Sequence, residues 1–355
     1  MTDANYLLWF RRLALAAAAL AFMVIVMGAW VRLSAAGLGC PDWPGCYGHI
    51  TAGEAGRNLD AVNAAFPERP FEYHKAVKEM VHRYFASTLG LAILVLAGLA
   101  LANRKDPAQP VALPLALVAL VIFQGLLGMW TVTLLLKPLV VVLHLLGGLA
   151  TFSLLIWLAM GVRAGSRLEA RDSSLKAEAR LEPHASSLGP EHDRLRTLAL
   201  AALAVLVIQI ALGGWTSSNY AALACPDFPT CQNQWWPEMD AEEAFVLWRG
   251  LGIDYEGGVL DHPARVAIHF AHRLGALATA VLLGVVSVLA WRRGATPVVR
   301  GAGLVLGLVL LVQLILGPVM VMRALPLPLA TAHNGVAALL LAAVVVLNHA
   351  VRRSG

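Results

Sequence analysis

Charge is what this sequence has least of. Asp, Glu, Lys and Arg make up 14% of its 355 residues, against about 25% in a soluble globular domain. Hydrophobic residues reach 59%, and the mean hydropathy is +0.69. That shortage of charge excludes a disordered chain and argues against a water-soluble enzyme. Four cysteines in 355 residues are too few for a disulfide-built miniprotein. Runs of short alternating strands are also missing, which excludes a transmembrane β-barrel. What remains is a polytopic, all-α integral membrane protein. The surplus of 27 basic over 22 acidic residues gives a net charge of +5. The basic residues stand in short loops between apolar runs, so they set orientation and do not point to nucleic acid.

A spanning helix needs about 20 mostly apolar residues. Eight runs qualify: 13–33, 78–101, 111–134, 139–161, 196–215, 264–291, 298–321 and 328–350. The first follows Arg11 and Arg12 as a signal peptide would. Its length, and its likeness to the start of the second half, favour a span. Arg11, Arg12, Arg104, Lys105, the basic residues of 162–195, Arg292, Arg293, Arg300, Arg352 and Arg353 all fall on one side. By the positive-inside rule that side is the cytoplasm, so both termini are cytoplasmic. The long loops 34–77 and 216–263 then lie outside, and the second carries eight acids and one base, Arg249.

The chain repeats itself. Trp30, Cys40, Pro41, Asp42, Pro44 and Cys46 recur at one constant offset as Trp215, Cys225, Pro226, Asp227, Pro229 and Cys231. Glu79-Met-Val-His82-Arg83 is echoed by His269-Phe-Ala-His272-Arg273 at a slightly longer offset. Gln124, Gly128 and His144 return, again in constant register, as Gln313, Gly317 and His333. The pattern predicts two tandem, pseudo-symmetric four-helix bundles, 1–161 and 196–355, joined by a cytoplasmic linker at 162–195. An even number of spans per unit gives both units the same orientation, a parallel repeat.

The repeated histidines carry the chemistry. A charged side chain at the centre of a span costs about 2.5–3.5 kcal/mol on insertion scales, so ionisable residues there are functional candidates. His82, His144, His272 and His333 each fall near the outer end of an even-numbered span, two per unit and almost equally spaced in the two units. Imidazoles from facing helices are a common way to ligate haem iron. The competing reading is an interhelical hydrogen bond. Recurrence at four repeat-related positions favours two haem sites. Two histidines per unit are too few for a zinc centre.

Arg83 and Arg273 follow their histidines and are candidates either for haem propionates or for snorkelling to lipid headgroups. Glu79 stands three residues before His82, on the same helical side. Its match in the second half is His269, so one unit has a carboxylate beside its histidine and the other does not. Such a carboxylate can move a proton or steady positive charge, or simply face headgroups. The pairs Cys40 and Cys46, and Cys225 and Cys231, sit in the outer loops with five residues between them. They read as structural staples or as redox-active bonds. His49, His74, His184, His192, His262 and His349 lack repeat support and read mostly as surface residues.

These residues together resemble the haem A synthase family. The segments WVRLSAAGLGCPDWP, EMVHR, HLLGG, HFAHRLGA and AHNGVA, in this order, carry the likeness over nearly the whole chain. The resemblance implies haem b held by His272 and His333 in the C-terminal unit. It implies haem O, as substrate, between His82 and His144 in the N-terminal unit, with Glu79 catalytic. The implied reaction oxidises the C8 methyl of haem O to a formyl group by successive hydroxylations, for terminal oxidase biogenesis. The implied location is a bacterial inner membrane, with Cys40–Cys46 and Cys225–Cys231 as disulfides on the periplasmic side. The pathway makes a haem O synthase a candidate partner, and a homo-oligomer is an open alternative to a monomer.

An iron with two firm histidines has no open position for oxygen. Either one substrate-site histidine dissociates, or oxidising equivalents arrive through the haem b unit. The rival functions are a b-type cytochrome relaying electrons and a non-catalytic haem carrier. A relay would place haems near both faces, whereas all four histidines lie near one. A carrier would need neither Glu79 nor two unlike sites. A transporter is weaker still, since paired broken midplane helices are missing.

Overall fold

The computed structural model describes residues 3–162 and 190–354, and these are helical wherever they are regular. Among the described residues, eight helices are long and apolar enough to cross a membrane. They are α1 (Asp3–Leu33), α4 (Tyr73–Ala102), α5 (Ala112–Thr133), α6 (Pro138–Gly161), α7 (Pro190–Ser218), α9 (His262–Arg293), α10 (Pro297–Met322) and α11 (Leu327–Arg353). The short helices α2 (Ala52–Ala55) and α3 (Leu59–Ala65) lie in the first long loop, and α8 (Ala241–Ala244) in the second. In lipid every backbone group must bond within its own segment, which is why the apolar runs are helical throughout. Each of the eight predicted runs falls on one of these helices; α1, α4, α7 and α9 begin about ten, five, six and two residues before their predicted runs. Most of the predicted linker, 163–189, lies outside the described residues.

Neighbour relations fall into two rings. Helix α1 packs on α4 and α6, and α5 packs on α4 and α6. Likewise α7 packs on α9 and α11, and α10 packs on both of these. The rings touch through α1 with α11, α6 with α7, and α6 with α11. Burial follows from this: 44% of the apolar window of α11 is enclosed, but 17% of that of α10. Leu304, Leu308, Leu311 and Ile315 of α10 are exposed, as a lipid-facing stripe requires. The inner face of α1 is Leu7, Phe10, Ala14, Ala17, Ala18 and Ala21. Small residues there let helix backbones approach closely, which drives packing where no hydrophobic effect operates.

Backbone turns recur between the halves. The α5–α6 turn holds Leu135 and Leu136 at φ +49° and +60°, and the α10–α11 turn holds Ala324 and Leu325 at +56° and +61°. The left-handed region is unfavourable for residues with a Cβ. Both turns are held by an amide of the second residue, Leu136 N to Thr131 O at 2.8 Å and Leu325 N to Met320 O at 2.8 Å.

The second outer loop reaches across to the first half. Tyr255 N donates to Leu135 O at 3.0 Å. Arg69 pairs with Asp254 at 2.5 Å and Glu256 at 2.6 Å. Lys137, 2% exposed, donates to Gly250 O and lies 3.3 Å from the Trp248 ring centroid. A hydrogen bond from a charged donor contributes about 1.5–3 kcal/mol. Lys137→Ala is therefore expected to free the segment around Arg249 and to speed tryptic cleavage there about tenfold or more. An unchanged cleavage rate would remove Lys137 as the brace.

Candidate functional site: four glycine-packed histidines

Each histidine rests against a glycine of the preceding long helix. A Cβ added at Gly28 of α1 would lie 3.0 Å from His82 Cε1 on α4, and one at Gly213 of α7 would lie 3.1 Å from His272 Cε1 on α9. Cβ atoms at Gly128 of α5 and Gly317 of α10 would each lie 3.5 Å from Cε1 of His144 on α6 and His333 on α11. The missing side chains make the slots that hold the rings. Within each ring of helices the two histidines stand in electrostatic reach of each other, His82 with His144 and His272 with His333. His82 and His272 lie nine and ten residues inside their helix starts, about 14–15 Å at 1.5 Å per residue. His144 and His333 both lie six residues inside, about 9 Å.

Glutamines stand beside three of the four. Gln209 Nε2 lies 3.0 Å from His272 Nδ1 and 3.0 Å from the His272 carbonyl. Gln313 Nε2 lies 3.2 Å from His333 Nε2. Gln124 Nε2 donates to the His144 carbonyl at 3.0 Å. His82 has no such neighbour, and its Nδ1 is buried without a partner. The recurrence of Gln124 and Gln313 was visible in the sequence. Gln209 was not, because it has no match in the first half.

Glu79 is buried, 5% exposed. Its Oε1 accepts from Arg83 Nη2 at 2.5 Å, and its Oε2 accepts from Cys40 N at 2.9 Å. His269 makes the same two contacts with different chemistry. Its Nδ1 accepts from Cys225 N at 3.2 Å, and its Nε2 accepts from Arg273 Nε at 3.3 Å. Both residues latch a cysteine loop onto its helix. Arg83 Nη1 also donates to the carbonyls of Asp42 at 3.0 Å and Gly45 at 2.5 Å. Arg273 donates to the carbonyls of Thr230 at 2.8 Å and Cys225 at 2.7 Å. The loops therefore engage both arginines, a role the sequence did not disclose.

The cysteines are paired as Cys40–Cys46 and Cys225–Cys231, with sulfurs 2.04 and 1.98 Å apart. The recurring aspartates close these loops. Asp42 accepts from the amides of Tyr47 at 2.6 Å and Gly48 at 2.7 Å. Asp227 accepts from Gln232 N at 2.6 Å, Asn233 N at 3.0 Å and Thr230 Oγ1 at 2.5 Å. Among the remaining histidines His349 corrects the surface reading. It is buried on α11 and meets Trp157 edge-on at 4.8 Å. His184 lies outside the described residues.

Fold and site define a multi-pass membrane protein with two pairs of inward histidines beneath disulfide-closed loops. The chain belongs to the cytochrome oxidase assembly protein family, which it matches over residues 11–345. It is similar to the Heme A synthase of Shewanella oneidensis, 45% identical over 327 residues, 92% of each chain. It is also similar to the Heme A synthase of Paracoccus denitrificans, 30% identical over 88% of this chain and 79% of that one. The Heme A synthase of Caulobacter vibrioides is 27% identical over 95% and 94%.

Partial desolvation pushes the Asp227 carboxyl up, but hydrogen bonds from Thr230, Asn233 and Gln232 outweigh it and hold the group at about 2, below its ordinary 3.8. A depressed carboxylate contributes stability above its unfolded value and loses it as pH falls toward the folded one. The Gln232 and Asn233 amides are expected to stay protected from hydrogen exchange down to about pH 4 and to lose protection between about 4 and 2. Asp227→Asn should remove that dependence. Protection independent of pH in the native loop would contradict it.

Proposed function

We propose that this chain is a haem A synthase, which oxidises the C8 methyl of haem O to a formyl group. The observation that carries the proposal is the pairing of glycine-packed histidines within electrostatic reach of each other in each ring of helices, in a chain 45% identical to a Heme A synthase over 92% of both lengths. The donor set fits haem. In each ring two imidazoles stand on different helices within electrostatic reach of each other, and the buried Nδ1 atoms of His82, His144 and His333 lack a partner among the described residues. Three polar atoms without a bond in an apolar bundle would be costly unless a ligand completes the site.

In this reading 1–161 and 196–355 are two pseudo-symmetric units, with His82 and His144 holding the haem O substrate and His272 and His333 holding haem b. Haem b, when bound, supplies one-electron transfer to the neighbouring unit. Methyl to aldehyde takes two hydroxylations and loss of water from the resulting gem-diol. Each hydroxylation withdraws two electrons and one proton from a methyl C–H bond, the electrons passing to an external oxidant, and the electron-poor carbon left, conjugated with the substrate macrocycle, takes up a hydroxide-level oxygen. Glu79 is the carboxylate available to accept a proton or to steady that charge. Its two oxygens are held by Arg83 and Cys40 N, so it is oriented before substrate arrives. Propionates of either haem would share Arg83 and Arg273 with the loop carbonyls. The loops face the periplasm of a bacterial inner membrane, the termini face the cytoplasm, and a haem O synthase supplies the substrate.

Because Glu79 also latches a loop, Glu79→Ala confounds two losses. Glu79→His does not, since His269 latches the second loop as an imidazole. Glu79→His is expected to keep the Cys40–Cys46 loop protected while haem O or a hydroxylated intermediate accumulates in extracted pigment. Normal haem A output would reduce Glu79 to a latch. His272→Ala is expected to lose the haem b absorbance, and retention of that absorbance would contradict the assignment of the second site.

A further inference from the structure

The two histidine pairs are not held alike, and the difference traces to three positions of the repeat. In the second pair each ring is gripped by an amide, His272 at Nδ1 by Gln209 and His333 at Nε2 by Gln313. In the first pair neither ring nitrogen meets an amide, and Gln124 reaches only the His144 carbonyl. Nδ1 of His82, His144 and His333 is buried with no partner among the described residues, so His272 is the one of the four whose Nδ1 is held.

The steric reasons lie in the residues around each amide. Gln209 lies over Gly275, where a Cβ would overlap its Oε1. In the first half, Val24 matches Gln209 in the register that pairs Trp30 with Trp215. Phe85 matches Gly275 in the register that pairs His82 with His272. Both the amide and the room for it are gone. Gln124 lies over Gly147, where a Cβ would sit 2.5 Å from its Nε2. In the register that pairs His144 with His333, the position matching Gly147 is Val336. Val336 blocks that pose in the second half, and Gln313 meets the ring instead.

An outer hydrogen bond fixes the orientation of a ligating imidazole, and its loss typically costs 10–100-fold in metal affinity. An amide presents a donor at one end and an acceptor at the other, so it can grip a ring in either tautomer. We propose that Gln209 is the positioning residue that makes the second pair a fixed-ligand site, since its bond at Nδ1 leaves His272 Nε2 for the iron. The first pair is a releasable-ligand site, and His82 is the ligand that lets go. His144 retains an amide on its own backbone, whereas His82 has Val24 and Phe85 where the amide and its space would be. The inference rests on the haem-site reading above. It gives the substrate iron an open position while the second iron stays closed.

Carbon monoxide tests it, since it binds ferrous haem only where an axial position opens. The full chain is purified from cells making haem b and haem O, both pigments are quantified by extraction, and carbon monoxide uptake is followed after reduction. In the unaltered protein haem O is expected to react and haem b to stay inert. Gln209→Val is expected to raise the uptake rate of haem b about tenfold or more. The pair Val24→Gln and Phe85→Gly is expected to lower that of haem O by a similar factor with haem O content unchanged. Inert haem b in Gln209→Val, in protein retaining both pigments, would overturn the inference, and Gln209→Val alone suffices if the paired variant fails to fold. Unaltered protein that retains haem b but binds no haem O would instead overturn the site reading on which the inference rests.

Discussion

An imidazole buried between membrane helices needs room for its ring, and the facing glycine supplies it. Gly28, Gly128, Gly213 and Gly317 each meet the Cε1 edge of a histidine, at 3.0–3.5 Å from an added Cβ. A Cβ at Gly28 or Gly213 would press on the ring, whereas one at Gly128 or Gly317 would be in ordinary contact with it and only a larger side chain would crowd the slot. The two rings of helices are shaped by that requirement. Long helices α1 and α7 lend the glycine to α4 and α9, while the tight turns into α6 and α11 bring the other two pairs together. The glycines do their work by absence of volume, not by conformational freedom.

The outer loops depend on the same helices. Glu79 and His269 stand one turn before His82 and His272, and each accepts the amide of the first cysteine of its loop. Arg83 and Arg273 bond the carbonyls of the same loops. The latch keeps its geometry between the halves while its chemistry changes from carboxylate to imidazole. A group that keeps its structural contacts but differs in acidity is where one unit can acquire a proton-handling step that the other lacks. The second loop extends further and clamps the first half through Lys137 and Arg69, which ties the two rings together on the outer side.

Much of this was legible in the sequence. The eight spans follow from hydropathy alone, because lipid leaves the backbone no alternative to helix. The four histidines and both cysteine pairs declared themselves by recurrence. What recurrence could not reveal were residues that differ between the halves. Gln209 against Val24, Gly275 against Phe85, and Gly147 against Val336 are silent in a search for likeness, and they decide how firmly each ring is held. The latch role of Glu79 was hidden for another reason. Its partner, Cys40 N, is distant in sequence and depends on how the loop folds back. The burial of His349 is not visible in its local sequence, because nothing there marks α11 as the most enclosed helix.

Everything above converges on the conversion of haem O into haem A by this chain. The most direct measurement is mass analysis of pigments extracted from cells producing the chain together with a source of haem O, set against cells lacking the chain. Haem A or its hydroxymethyl precursor is expected only where the chain is present. Haem b and untouched haem O alone, in folded protein with oxygen and reductant supplied, would contradict it and would favour an electron-relaying cytochrome or a carrier.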